Sequence, residues 1–316
     1  MKVESYVISL NNPIRLLSKL KKCGLNPKLI HGINGKIINK EVIDKHVSKL
    51  YSLIGPKSAI GCALSHIAVW KTFLKSKEKF AIIFEDDIIF DDQDLNKMIV
   101  NYINKTPKNF DMLYLGYFGE NIKDENGKIF NLTMRLFGNT NKKSVIINDT
   151  VCRPEVALAM HSYVLSRKGA RKLIGLLDGN IYHHIDYCIQ NLYSRNLINS
   201  FAVYPKCIFQ TSTYKTCSSN VSSQHPILFN KILSNYMIDH KVTANYLTTL
   251  SVIRIFDINL TISSIIFFIL GYIFAIIGVD NIHICLFYIL ISLQDQLIPI
   301  MVLNYSMFVL PTLIKN

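Results

Sequence analysis

Phe80–Asp87 reads FAIIFEDD, five apolar residues running straight into three acids. A short continuous apolar run rich in isoleucine and phenylalanine predicts a strand buried on both faces. In an open α/β sheet, ligands collect beyond the carboxyl ends of the strands. Glu85, Asp86 and Asp87 would stand at such an end. Carboxylates packed this closely repel one another and are best tolerated around a hard cation. A divalent ion held by one or two of them commonly also holds a diphosphate, whose departure it eases by neutralising charge. The plainer alternative is a solvated acidic turn, continued by Asp91, Asp92 and Asp94.

Working outward, the flanks alternate between strand and helix patterns. Lys2–Leu10 reads as a strand, then Asn11-Asn12-Pro13 as a turn into a basic helix ending near Cys23. Pro27–Ile30 is a second short strand before a glycine-bearing loop. Ile60–Leu74 carries apolar residues at 60, 63, 64, 67 and 74, a helical spacing with lysine at its end. Asp111–Leu115 and Ala157–Leu165 are strand-like, and Ser166 caps a helix through Leu177. A further helix runs from His184 to Arg195. Asn121–Asp149 reads as a long loop or small hairpin. The pattern predicts an α/β sandwich with a mostly parallel central sheet.

Length and composition set the frame. The 316 residues are half hydrophobic and 18% charged, which excludes a disordered or low-complexity chain. The apolar residues concentrate at one end. Ile255–Ile314 holds no lysine or arginine and only Asp257, Asp280 and Asp295 as acids. Of 35 basic and 22 acidic residues, 34 and 19 fall in Met1–Arg254, a net charge of +15 there. Such a basic body suits anionic headgroups or a phosphorylated substrate. Nucleic acid is excluded as a partner, because no zinc-finger spacing, helix-turn-helix pattern or aromatic–basic stripe is present.

Ile258–Val279 is a 22-residue uncharged run, enough at 1.5 Å per residue to cross a hydrocarbon core of about 30 Å. Leu297–Ile314 is long enough to return. These runs predict transmembrane helices over 257–314, a bridging segment over 216–256 and a catalytic domain over 1–215 facing the cytosol. Docking of the same helices on the body is the alternative. The seven cysteines are odd in number and form no CxxC pair. They read as reduced packing residues, not as a disulfide framework or a zinc site.

Four stretches, in order, resemble glycosyltransferase family 25, the lipopolysaccharide-type glycosyltransferases and collagen galactosyltransferases. They are YVISL at Tyr6–Leu10 with Arg15, IGCALSHIAVW at Ile60–Trp70, AIIFEDDI at Ala81–Ile88, and AMHSYVLSRKGA at Ala159–Ala170. His184-Ile185-Asp186 and Tyr204-Pro205 with Gln210 follow. The resemblance covers about the first 210 residues and leaves out Asn121–Asp149 and everything after Ser212. It implies a GT-A nucleotide-sugar-binding fold and inverting transfer of galactose or glucose from a UDP-linked donor, with Mn²⁺ or Mg²⁺ as cofactor.

Residue by residue, the resemblance implies that Asp87 ligates the metal while Glu85 and Asp86 lie nearer the ribose and sugar. Arg15, Gly61, Ser65, His66 and Gln210 fall to the nucleotide sugar. Asp186 is the base that takes the acceptor hydroxyl's proton. At most one of His183 and His184 would complete the metal shell, since neighbours on a helix point different ways. The plainer readings are a packing histidine at His66 and an ordinary helix-N-terminal aspartate at Asp186. A glycolipid or lipopolysaccharide-like acceptor, with membrane lipids as partners, fits the apolar tail; a glycoprotein acceptor stays open. Two rivals use the same carboxylates differently: a metal-dependent nucleotidyltransferase or phosphohydrolase, and a non-catalytic membrane adaptor.

Overall fold

Alternate residues of the strand Phe80–Glu85 enter two different cores. Ala81 and Ile83 pack into one and Ile82 and Phe84 into the other, all of them fully buried. This is the double-faced burial that an uninterrupted apolar run requires. In the computed structural model described here, residues 2–91, 94–119, 142–210, 237–239, 242–243, 251–255, 258–279, 282–283, 286 and 298–315 are described.

The body, Met1–Thr211, is built on an eight-stranded sheet. Its strands in chain order are β1 (Glu4–Ser9), β2 (Lys28–His31), β3 (Phe80–Glu85), β5 (Met112–Gly119), β6 (Val145–Ile146), β7 (Val151–Arg153), β8 (Ala157–Ser166) and β9 (Ser200–Val203), arranged β2-β1-β3-β8-β5-β9-β7-β6. A separate antiparallel pair joins β4 (Ile88–Ile89) to β10 (Phe209–Gln210). The helices are α1 (Ile14–Lys22), α2 (Lys40–His46), α3 (Lys49–Ile54), α4 (Lys57–Lys75), α5 (Leu95–Lys105), α6 (Arg167–Leu177) and α7 (Ile185–Ser194).

One face of the sheet is covered by α4, α6 and α7, with Trp70, Phe73, Leu173 and Ile189 against Tyr6, Ile83, Tyr114 and Tyr163. The other face is covered by α1 and α5, with Leu20, Leu95, Ile99 and Ile103 against Val7, Phe84, Leu113 and Val164. The result is a three-layer α/β/α sandwich. Each buried isoleucine or phenylalanine in these layers contributes about 1.5–3 kcal/mol through burial.

The sheet corrects the expectation of mostly parallel pairing. β1 pairs parallel with β2 and β3, and β5 with β9, but β8 runs antiparallel between β3 and β5, and β7 runs antiparallel to β6 and β9. The sheet is therefore mixed. Strand direction follows from the crossover and not from residue pattern. β8 is as apolar as a parallel core strand, so its reversal leaves no local mark.

The C-terminal unit, Ser212–Asn316, also departs from expectation. The first residues of the long uncharged run form a strand, Ile258–Thr261, paired antiparallel with Ser251–Ile255. What remains is a helix at Ile262–Ile276, 15 residues or about 22 Å long. A second helix spans Ile298–Lys315. Among the described residues no helix is long and apolar enough to cross a membrane. The two helices pack through Phe267 and Phe274 against Phe308. Gly271 permits the approach, since a Cβ there would lie 1.9 Å from the Phe308 carbonyl oxygen. Most of the expected bridging segment, 216–256, and most of the Asn121–Asp149 loop lie outside the described residues. The described end of that loop contains β6, which pairs antiparallel with β7 just beyond it.

Candidate functional site

The three acids stand at the carboxyl end of β3. Ile8 pairs with Glu85 across the sheet, so the end of β1 lies beside the cluster. There the Ser9 hydroxyl donates to Asp86 Oδ2 and also accepts from the Asn11 backbone N–H at 3.0 Å. The loop that leaves β1 is thus tied to the acids. Asp86 is exposed, and Glu85 and Asp87 are half-buried.

The short β4–β10 pairing places Gln210 over the other two. Gln210 pairs with Ile88, directly after the acids. Its Nε2 lies 3.2 Å from Glu85 Oε2 and 3.3 and 3.4 Å from the two Asp87 oxygens. A single amide donor is shared between two carboxylates. Burial, then the charges of Glu85 and Asp86, push Asp87 up to about 7, with Gln210 pulling against them. Two converging carboxylates, one of them reluctant to ionise without a positive neighbour, fit a hard divalent cation that takes its remaining ligands from water and a diphosphate.

Glu85 is stabilised from the other side. His66 Nε2 lies 3.1 Å from Glu85 Oε1, and His66 Nδ1 lies 3.0 Å from the Tyr163 hydroxyl. The Trp70 indole N–H donates to that same hydroxyl at 2.8 Å. With Trp70 occupying one lone pair, Tyr163 has its own proton to give to His66 Nδ1, which leaves the imidazole proton on Nε2 facing Glu85. His66, Trp70 and Tyr163 are all at most 1% exposed, so the chain of bonds is sealed from solvent. Burial alone would raise Glu85. The hydrogen bond from His66, with His161 and Gln210, outweighs it and holds the carboxyl below its usual range.

Gly61 and Ser65 act on the neighbouring loop. A Cβ on Gly61 would lie 2.4 Å from the Ile33 carbonyl oxygen, and one on Gly35 would lie 1.7 Å from the Lys57 carbonyl oxygen. The loop after β2 therefore lies directly against α4. Ser65 fixes it there: its hydroxyl donates to Gly61 O and accepts the Ile33 N–H, both at 2.7 Å. Arg15 stands apart from the acids. It is exposed and lines a cavity of about 760 Å³ with Ser18, Lys19, Lys22 and Asp94, whose lining includes none of the three acids.

Asp186 opens α7 and holds β8. Its Oδ2 accepts from the Ala159 backbone N–H at 3.1 Å and its Oδ1 from its neighbour Tyr187 at 2.8 Å. One turn later Gln190 accepts the Ala157 N–H at 3.2 Å. The match is geometric: four helical residues rise about 6 Å and two strand residues about 6.6 Å. Ala159 sits at φ +70°, the left-handed region a side chain avoids, and the Asp186 bond fixes its N–H in that bend.

His183 packs between Tyr51 and Tyr187, with ring centroids 6.1 and 4.3 Å away, and burial and His184 push it down to about 4. Among the described residues, the His, Cys, Asp and Glu side chains whose ligand atoms cluster closely enough for one ion are Cys62, His66 and Glu85. That group includes neither His183 nor His184, nor Asp87. Sequence spacing missed the parts played by Cys62, Tyr163 and Trp70. The i, i+4 spacing of Cys62 and His66 was the available signal.

Residues 2–189, more than half of the chain, match the model of glycosyltransferase family 25, described as LPS biosynthesis protein. Procollagen galactosyltransferase 2 of Homo sapiens is 20% identical over 200 residues, covering 60% of this chain and 29% of that protein. A probable inactive glycosyltransferase 25 family member 3 of Rattus norvegicus is 26% identical over 137 residues, 39% of this chain and 24% of that one. The chain thus spans less than a third of the length of these curated relatives. The crystal structure of mouse xyloside xylosyltransferase 1 in its apo form superposes at a TM-score of 0.29 with 12% identity, over 62% of this chain and 71% of that one, too distant to bear on the argument. On the match that spans β1 to α7, the chain belongs to glycosyltransferase family 25.

Proposed function

We propose that the chain is a glycosyltransferase that moves a hexose, galactose or glucose, from a UDP-linked donor to a glycan, glycolipid or glycoprotein acceptor with inversion, in surface-glycan or lipopolysaccharide synthesis. The observation that carries this reading is the sharing of Gln210 Nε2 between Glu85 and Asp87 at the carboxyl end of β3. A hard cation bound there would supply neutralisation of the departing diphosphate. Asp87 and Glu85 would hold it, Gln210 sets the spacing of the two carboxylates, and Asp86, tied to Ser9, would face the ribose and sugar beside the loop after β1. The acceptor oxygen bonds to the anomeric carbon as the bond to the diphosphate oxygen breaks. The hydroxyl proton passes to the Asp186 carboxylate.

Incubation of the full chain with Mn²⁺ and a panel of nucleotide sugars, reading nucleotide diphosphate release, tests this. Release selective for one sugar, and abolished by EDTA and by Asp87→Ala, is expected. No release from any donor, with no donor binding by calorimetry, would contradict it.

Association with membrane lipids on the cytosolic side belongs to the same proposal. Ile269, Tyr272, Ile273 and Ile276 are exposed along one face of the helix Ile262–Ile276, in a unit of low charge. Flotation with anionic vesicles should carry the parent protein up the gradient and leave an Ile269→Ser/Ile273→Ser/Ile276→Ser variant behind.

A further inference from the structure

Cys62 departs from the other described cysteines. Cys23, Cys152 and Cys188 are buried and Cys207 half-buried, as packing residues are, whereas Cys62 is exposed. It lies one turn before His66 on α4, so the two side chains share a face. That face meets the end of β3. Cys62 Sγ, a ring nitrogen of His66 and a Glu85 oxygen all lie within 4.8 Å of one another. Around a tetrahedral ion such ligands stand about 3.4–3.8 Å apart, so side-chain movement on the order of 1 Å closes the set.

The surroundings suit a metal ligand at His66. A ligating imidazole has its other nitrogen held by an outer partner that fixes the ring. Here Nδ1 is held by the Tyr163 hydroxyl, itself held by Trp70.

We propose that Cys62, His66 and Glu85 form a binding site for a borderline-soft divalent cation of the zinc or cobalt class, which shares Glu85 with the hard-cation site but does not use Asp87. Thiolate and imidazole select such ions, while carboxylate and water select magnesium and manganese. Three protein ligands leave a fourth position for water. One thiolate and one carboxylate balance the double charge. On binding, the Cys62 proton leaves to solvent, and the His66 proton moves from Nε2 to Nδ1, where the Tyr163 oxygen accepts it beside the Trp70 donor. Affinity therefore rises with pH. Glu85 meets the ion through Oε1, the oxygen now facing His66, and keeps Oε2 on Gln210.

Titration of the full-length, metal-free protein with Co²⁺ reads this site without any turnover, so its outcome is independent of whether the chain transfers sugar. The parent protein should develop a near-ultraviolet thiolate-to-cobalt charge-transfer band at one equivalent, and Zn²⁺ should abolish it by displacement. Cys62→Ser, a change at an exposed position, should lose the band and weaken cobalt binding by at least about 10–100-fold, the range that even outer partners command. Asp87→Asn should retain the band. Absence of the band in the parent, or its survival in Cys62→Ser, would overturn the site. Loss in Asp87→Asn as complete as in Cys62→Ser would overturn its separateness.

Discussion

His66 Nε2 faces Glu85 Oε1 at 3.1 Å from a position that is 1% exposed. The imidazole holds the carboxylate at the edge of the site, and its own orientation is fixed by Tyr163 and Trp70 behind it. His66→Ala should therefore cost about 1–3 kcal/mol by leaving buried polar groups unsatisfied. Glu85 is held below its usual range in the folded protein, so the stability it contributes is present above its unfolded value and is lost as pH falls through the folded one. Urea midpoints of parent and variant should differ near neutral pH, and the gap should narrow below about pH 4. A gap independent of pH would place the cost in packing alone.

Asp87 carries the opposite sign. Its folded-state value of about 7 lies above the ordinary carboxylate range. Between about pH 4 and that value the folded chain keeps a proton that the unfolded chain releases, so stability falls as pH rises through this window. Asp87→Asn removes the penalty. In chelator, the variant should melt above the parent at pH 8 and together with it at pH 4. Mn²⁺ at pH 8 should raise the melting temperature of the parent and leave the variant unmoved.

The contact of α4 with the loop after β2 depends on two glycines. An added Cβ meets backbone oxygen at 1.7 Å for Gly35 and 2.4 Å for Gly61, and neither oxygen belongs to a side chain that can turn away. Gly35→Ala and Gly61→Ala should each destabilise by about 1–3 kcal/mol, with Gly35 the worse. Ser65→Ala, which orphans the Ile33 N–H, should cost about 1–3 kcal/mol. Chemical denaturation of the three variants checks the order.

Asp186 has one carboxylate and two duties, and substitution separates them. Asp186→Asn retains an oxygen for the Ala159 N–H but no longer takes a proton. It should keep the parent's melting temperature to within a few degrees and lose about 10²–10⁴-fold in kcat, with little change in KM for the donor. Asp186→Ala should lose stability as well. Parent-like kcat in Asp186→Asn would confine the residue to holding β8.

The parts legible in the sequence are those written in local chemistry. The uninterrupted FAIIF run gave β3 its buried setting, Ser166 capped α6 by accepting the Gly169 N–H, and Ile60–Leu74 lay within α4. What escaped depends on distant pairing. Nothing in Ala157–Ser166 states that it runs backwards between β3 and β5, and nothing near Gln210 states that it pairs with Ile88. Hydropathy likewise reads Ile258–Val279 as one span. The strand Ile258–Thr261 is drawn from it by pairing with Ser251–Ile255, and β-branched isoleucine and threonine suit either state. Cys62 leaves no pair signal in the sequence, because its neighbours are a histidine one turn on and a glutamate from another strand.

The central claim is that Glu85 and Asp87 hold a nucleotide diphosphate through a hard cation. Calorimetric titration of the full chain with UDP, in Mn²⁺ and in EDTA, tests it most directly, with Asp87→Asn in parallel. The account predicts binding to the parent in Mn²⁺ and none in EDTA or to the variant. Equal binding in all three would contradict it.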